Sequence, residues 1–226
     1  MATYELQVTF GVSGEGRTRM AATKEAPGNR PAARLVSNVL GPEVWVALLP
    51  LAVAWEATGQ RIGPTLGWGL WIVLFAVAVP MLVMVQGARQ GQWRGRYVDN
   101  REGRLVPYLA CILSVFLGLV GLWVGDAPSD LVAFVVAMLL SLVLFLYITV
   151  AWRWKISLHA AVATGASAAL VVAYGPWALA VAPLAACAAW SRVALGKHTV
   201  GQVLAGAVVS VVFGGCLFWA VQAWLA

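Results

Sequence analysis

From Leu131 to Trp152 the chain runs 22 residues without one charged side chain. At about 1.5 Å of rise per residue, a helix of that length spans the roughly 30 Å hydrocarbon core of a bilayer. Similar runs recur along the sequence, and together they leave little choice of fold. Hydrophobic residues make up 62% of the chain and charged residues 11%, against about 25% charge in a soluble domain. The expected class is all-α, a polytopic transmembrane helical bundle of six to seven spans.

Residues 1–40 are polar, glycine-rich and basic, and no apolar signal-peptide core follows Met1. They read as a flexible basic tail with a short amphipathic piece near Leu35 to Leu40; residues 41–226 then form the membrane domain. Spans are expected at about 43–57, 66–86, 105–124, 131–152, 158–174, from Gly175-Pro176 to near Trp190, and from near His198 to Trp224. Pro80 predicts a bend in the second.

Seven spans sort the charges by side. Of the 15 Lys and Arg residues, all but Arg61 fall on one face, while Asp126 and Asp130 fall on the other. The positive-inside rule makes the basic face cytoplasmic and puts the C-terminus opposite. Trp45, Trp93, Trp152, Trp154 and Trp190 line one interface, and Trp55, Trp68, Trp123, Trp177 and Trp224 the other, as an aromatic belt requires. The expected setting is a bacterial-type plasma membrane. With the charge explained by topology, the net +6 implies no nucleic-acid partner. Cys111, Cys187 and Cys216 lie inside apolar runs without metal-ligand spacing, and read as small core residues.

Three polar clusters reach the basic face: residues 99–104 with Arg101 and Arg104, residues 155–159 with Lys155, Ser157 and His159, and the stretch around Ser191, Arg192, Lys197 and His198. His159 and His198 are the chain's two histidines, each at the entrance of an expected helix. Arginine offers a planar fork of donors that matches phosphate, lysine adds a point charge, and a helix start adds unpaired N–H groups. His198 suits a nucleophile or an acid/base, with Gln202 one helical turn on to orient its ring. The basic residues also serve as flanking charges under the positive-inside rule. Two imidazoles among arginines at one interface are what phosphoryl transfer through a phosphohistidine needs.

The chain resembles the type 2 phosphatidic acid phosphatase superfamily, membrane enzymes acting on lipid phosphates and prenyl diphosphates, over roughly Tyr97 to Val208. Of its motif S-R-x5-H-x3-D, Ser191, Arg192 and His198 match and Gln202 replaces the Asp. Of P-S-G-H, Ser157 and His159 match, with Ile156 and Leu158 replacing Pro and Gly. For K-x6-R-P, either Arg104-Leu105 stands for R-P with Tyr97 at the Lys position, or Arg94 and Arg101 take the Lys and Arg positions before Glu102. The resemblance implies His198 as nucleophile and His159 as general acid/base. It implies Arg192, Arg104 or Arg101, and Ser157 as phosphate ligands, to which the clusters add Lys155, Ser191 and Lys197. It implies no metal and no cofactor, and a lipid phosphate or prenyl diphosphate as partner alongside membrane lipids.

Gln202 can accept a hydrogen bond from His198 but brings no negative charge, which in a carboxylate would stabilise the imidazolium. That departure keeps two other readings open: an enzyme that ionises or cyclises a prenyl diphosphate, and a binding-only membrane scaffold. Small residues at 160, 161, 163, 165, 166 and 168 in the fifth span, with Gly201, Ala205 and Gly206 in the seventh, predict close approach of the two His-bearing helices. Gly201→Leu is then expected to lower folding yield.

Overall fold

The computed structural model describes residues 30–91 and 105–225, the side chains of 105–107 excepted. A helix stands at each of the seven expected segments, preceded by one more. The extra helix is α1, Pro31–Val39. It begins at a proline, whose fixed φ suits a first helical turn. It buries Ala33 and Ser37 and exposes Leu35 and Val39, so the amphipathic piece expected near 35–40 starts a turn earlier.

The helices that follow are α2 (Pro42–Ala57), α3 (Ile62–Arg89), α4 (Leu105–Val124), α5 (Ser129–Ala151), α6 (Leu158–Tyr174), α7 (Ala182–Ala194) and α8 (Val200–Leu225). A 3-10 turn, Pro176–Val181, leads into α7. Five segments are long and apolar enough to cross a membrane: Pro31–Ala57, which joins α1 and α2, then Ile62–Arg89, Ser129–Ala151, Pro176–Ala194 and Val200–Leu225. Tyr108–Val124 and Leu158–Tyr174 are shorter apolar helices. Large apolar side chains such as Leu113, Leu204 and Val208 face outward. In water such a belt would drive aggregation, and it suits contact with lipid chains. Cys187 and Cys216 are exposed with them and Cys111 is half-buried, so the expectation of three core cysteines is corrected; a thiol is as compatible with lipid as with a protein interior.

Pro80 does not simply bend α3. The five residues before it and Val79, Leu74–Ala78, form a π-turn. Proline has no N–H to give the carbonyl one turn back, and a wider turn absorbs that loss. Opposite, Gly118 and Gly121 of α4, with Gly125 just past its last residue and still bonded to the Gly121 carbonyl, meet the rings of Phe75, Trp71 and Trp68. Three glycines spaced three and four apart share one helix face, and the rings sink into the notches they leave. The Trp71 indole N–H donates to the Gly118 carbonyl at 3.0 Å.

The core gathers around α5, which buries Leu131, Phe134, Val135 and Ala137 and meets Phe218 of α8 edge-on at 5.8 Å between ring centres. At the end away from the basic loops, Gln222 Nε2 donates to Asp130 Oδ1 at 3.0 Å. There too α2 turns into α3 through Gly59 and Gln60, both at positive φ. Thr58 and Thr65 share a 2.8 Å hydroxyl contact, and Arg61 Nε donates to the Thr58 carbonyl at 2.9 Å.

The seam between α6 and α8 is narrow, as expected, but glycines other than Gly201 make it so. A Cβ on Gly206 would lie 2.9 Å from the Ser157 carbonyl oxygen and 2.9 Å from Ile156 Cγ2. One on Gly215 would lie 2.9 Å from Ala168 Cβ, and one on Gly214 would lie 3.3 Å from Gly165 Cα. Gly201 is exposed, with only Thr199 Oγ1 near its would-be Cβ at 3.9 Å. The expected loss from Gly201→Leu is therefore corrected and moves to Gly206, whose face of α8 meets α6.

Candidate functional site

The segment 191–202 is built by two helix ends in succession. Helix α7 closes after Ala194 with Gly196 at φ 65, where a left-handed residue ends a helix at least cost in glycine. The Gly196 N–H donates to the Val193 carbonyl and the Lys197 N–H to the Arg192 carbonyl, both at 3.0 Å. This pair of bonds is the Schellman arrangement. The His198 N–H also reaches the Arg192 carbonyl, at 3.3 Å. Six residues apart in sequence, Arg192 and His198 are thus tied through backbone.

Thr199 then caps α8. Its hydroxyl accepts from the Gln202 N–H at 3.3 Å, and Gln202 Oε1 accepts from the Thr199 N–H at 3.2 Å, a reciprocal capping box. The same Oε1 lies 3.2 Å from His198 Nδ1. A backbone N–H can only donate, so the atom facing Thr199 is the amide oxygen, and Nδ1 opposite that oxygen must carry the ring proton. Gln202 therefore sets the tautomer of His198 and leaves the lone pair on Nε2.

Helix α6 starts against this turn. The Ser157 N–H donates to the Gln202 carbonyl at 3.2 Å, and Ser157 Oγ accepts from the Ala160 N–H as N-cap. His159 is half-buried in the first turn of α6, two residues beyond the Ser157 N–H that meets the Gln202 carbonyl, and so lies at the same end of the bundle as His198 and Arg192. Arg192 is half-buried and its Nη1 donates to Ser37 Oγ at 2.8 Å, which ties α1 to the end of α7.

His159, His198, Gln202 and Arg192 thus come together. Lys197 is exposed beside them and Lys155 is half-buried in the approach to α6. Ser157 and Ser191 are fully buried; the first caps α6, and the second donates to the Ala188 carbonyl at 2.7 Å within its own helix. Both hydroxyls serve the helix ends here. Arg101, Arg104 and the alternative Arg94 lie outside the described residues. Among the described residues, no three His, Cys, Asp or Glu side chains gather in a way that could hold a metal ion.

Two members of the site were missed in the sequence. Thr199 was legible, since Thr-x-x-Gln ahead of an apolar run is a capping-box signature. Ser37 was not, because nothing near it in the chain signals a partner 155 residues away. No protein-family model matches the chain, and neither does a curated protein or a solved structure.

Proposed function

We propose that the protein is an integral membrane phosphatase that hydrolyses a lipid phosphate or prenyl (di)phosphate through a phosphohistidine. The observation that carries this reading is the contact of His198 Nδ1 with Gln202 Oε1, which aims a lone-pair Nε2 away from α8's first turn. Arg192 is tied to His198 through backbone, and the start of α6, which carries the second imidazole, is bonded to Gln202.

In the first step His198 Nε2 attacks phosphorus, the bond from phosphorus to the leaving oxygen breaks, and that oxygen takes a proton from His159, which enters the step as the imidazolium once the bound substrate's negative charge offsets Arg192. In the second, His159 takes a proton from water as the water oxygen attacks phosphorus. The phosphorus–nitrogen bond breaks and inorganic phosphate leaves. Arg192 would hold the equatorial oxygens, as its fork geometry suits. The charge pattern supports seven spans with this site on the cytoplasmic side.

The test is phosphate release by the purified protein in detergent, from phosphatidic acid and a panel of prenyl mono- and diphosphates. Release that His198→Ala reduces to background is the expected outcome. Unchanged release in that variant overturns the mechanism. No release from any substrate, with tight binding of one of them, would favour the binding-only reading instead.

A further inference from the structure

Helices α5 and α6 do not pack on each other along their length; each leans on α2 and α8. Between them lies a cavity of about 210 Å³. Its α6 wall is Leu158, Ala161, Val162, Gly165, Ala166 and Ala169, spaced three, one, three, one and three apart, a single helix face. Its α5 wall runs from Phe145 back to Phe134 at the same spacing, so the two faces line one slot. From Leu158 to Ala169, eleven steps of about 1.5 Å along α6, the slot is about 16 Å long.

Three features decide what fits. The lining is mostly apolar; of its polar groups the Ser141 hydroxyl donates to the Ala137 carbonyl of its own helix at 2.7 Å, and the Ser210 hydroxyl and the Trp45 indole N–H are the others. Alanine and glycine on the α6 wall and Gly214 of α8 leave the width that larger side chains would fill. The slot begins at Leu158, the residue before His159, and ends at Ala169, well inside the bundle. An interior this apolar and this deep stays dry and takes apolar ligands.

We infer that the slot receives a single apolar chain, that of a prenyl phosphate, with its phosphate at His159 and His198. One slot between two helix faces accommodates one chain, not the paired chains of a diacyl lipid. The aromatic rings of Trp45, Phe134 and Phe145 and the sulfurs of Cys111 and Met138 in its lining suit the double bonds of a prenyl chain. Giving the chain to the substrate rests on the phosphatase reading above; the existence of a chain site does not.

The experiment uses full-length protein in lipid nanodiscs and a prenyl alcohol bearing a diazirine at its far end, with a diacylglycerol carrying the same group for comparison. After illumination, adducts are mapped by mass spectrometry. The prenyl probe is expected to mark the walls between Phe134 and Leu142 and between Ala161 and Ala169. The diacyl probe is expected to mark outward residues such as Leu113, Val143 and Leu204. Ser141→Leu, which breaks no bond between helices and fills the slot, is expected to remove the wall adducts. Prenyl adducts confined to the outward residues, equal wall labelling by the diacyl probe, or wall adducts that survive Ser141→Leu would each overturn the inference. If Ser141→Leu does not fold, the two adduct maps of the wild-type protein decide it. The probe has no phosphate, so wall labelling without phosphate release would sink the phosphatase reading alone, and release without wall labelling would sink the slot alone.

Discussion

Gln202 holds two things with one oxygen. It closes the capping box that starts α8 and it orients the ring of His198. An aspartate there would bring charge on a shorter side chain. Glutamate keeps the reach, is as good as glutamine at this capping position, and adds the charge that stabilises an imidazolium. Gln202→Glu is therefore expected to raise turnover above wild type while leaving the melting temperature in place. Gln202→Ala is expected to lower turnover about 10- to 100-fold, by analogy with the cost of removing the partner that orients a metal-bound histidine. Phosphate-release rates beside thermal melts check both, and a Gln202→Ala variant with wild-type turnover would show that His198 needs no orienting partner. Ser37 belongs at this scale too, since its bond to Arg192 gives α1 a hold on the site that no linear motif announces.

At the scale of elements, the site depends on how closely α8 approaches α6. The Ser157 N–H reaches the Gln202 carbonyl only because Gly206, one turn on, lets the Ser157 carbonyl and Ile156 come against the α8 backbone. A methyl at Gly206 meets backbone oxygen, which cannot swing aside. Gly206→Ala is expected to cost about 1–3 kcal/mol, as overpacking does, and to depress activity by moving His159 from His198. Gly201→Leu, on the outer face, is expected to fold as wild type. Thermal melts of the two purified variants separate these outcomes, and a stable Gly206→Ala protein with full activity would mean the seam can open without harm. The glycine notches of α4 show the same logic on the other side of the bundle. Removing a side chain there makes a place for Trp71, and neither helix's own periodicity reveals the pairing.

At the scale of the whole molecule, orientation sets which pool of substrate the site sees. On the seven-span reading fourteen of the 15 basic residues fall on one side, and the positive-inside rule is the ground on which we propose that the site faces the cytoplasm. Single cysteines at Lys197 and Asp126, in a background with Cys111, Cys187 and Cys216 replaced by serine, test that in intact cells with a membrane-impermeant maleimide. Labelling is expected at 126 and not at 197. The reverse pattern would invert the protein and turn the site toward the opposite pool.

The helices themselves were legible because each apolar run must satisfy its own backbone hydrogen bonds in lipid, and only a helix does that within one segment. That is why segments around 43–57 and 158–174 were found from composition and turn residues alone. Arg192, His198 and Gln202 of the third cluster were legible for a related reason: they are joined by bonds spanning six residues or fewer, so local chain geometry is enough to assemble them. What only the tertiary structure decided lies between helices. Gly206 rather than Gly201 faces α6, Ser37 meets Arg192, two cysteines turn outward, and α5 and α6 stand apart to leave a slot. Each depends on how a helix is rotated about its axis. In a chain apolar on nearly every face, hydrophobic periodicity does not set that rotation; interlocking of small and large side chains across the seams does.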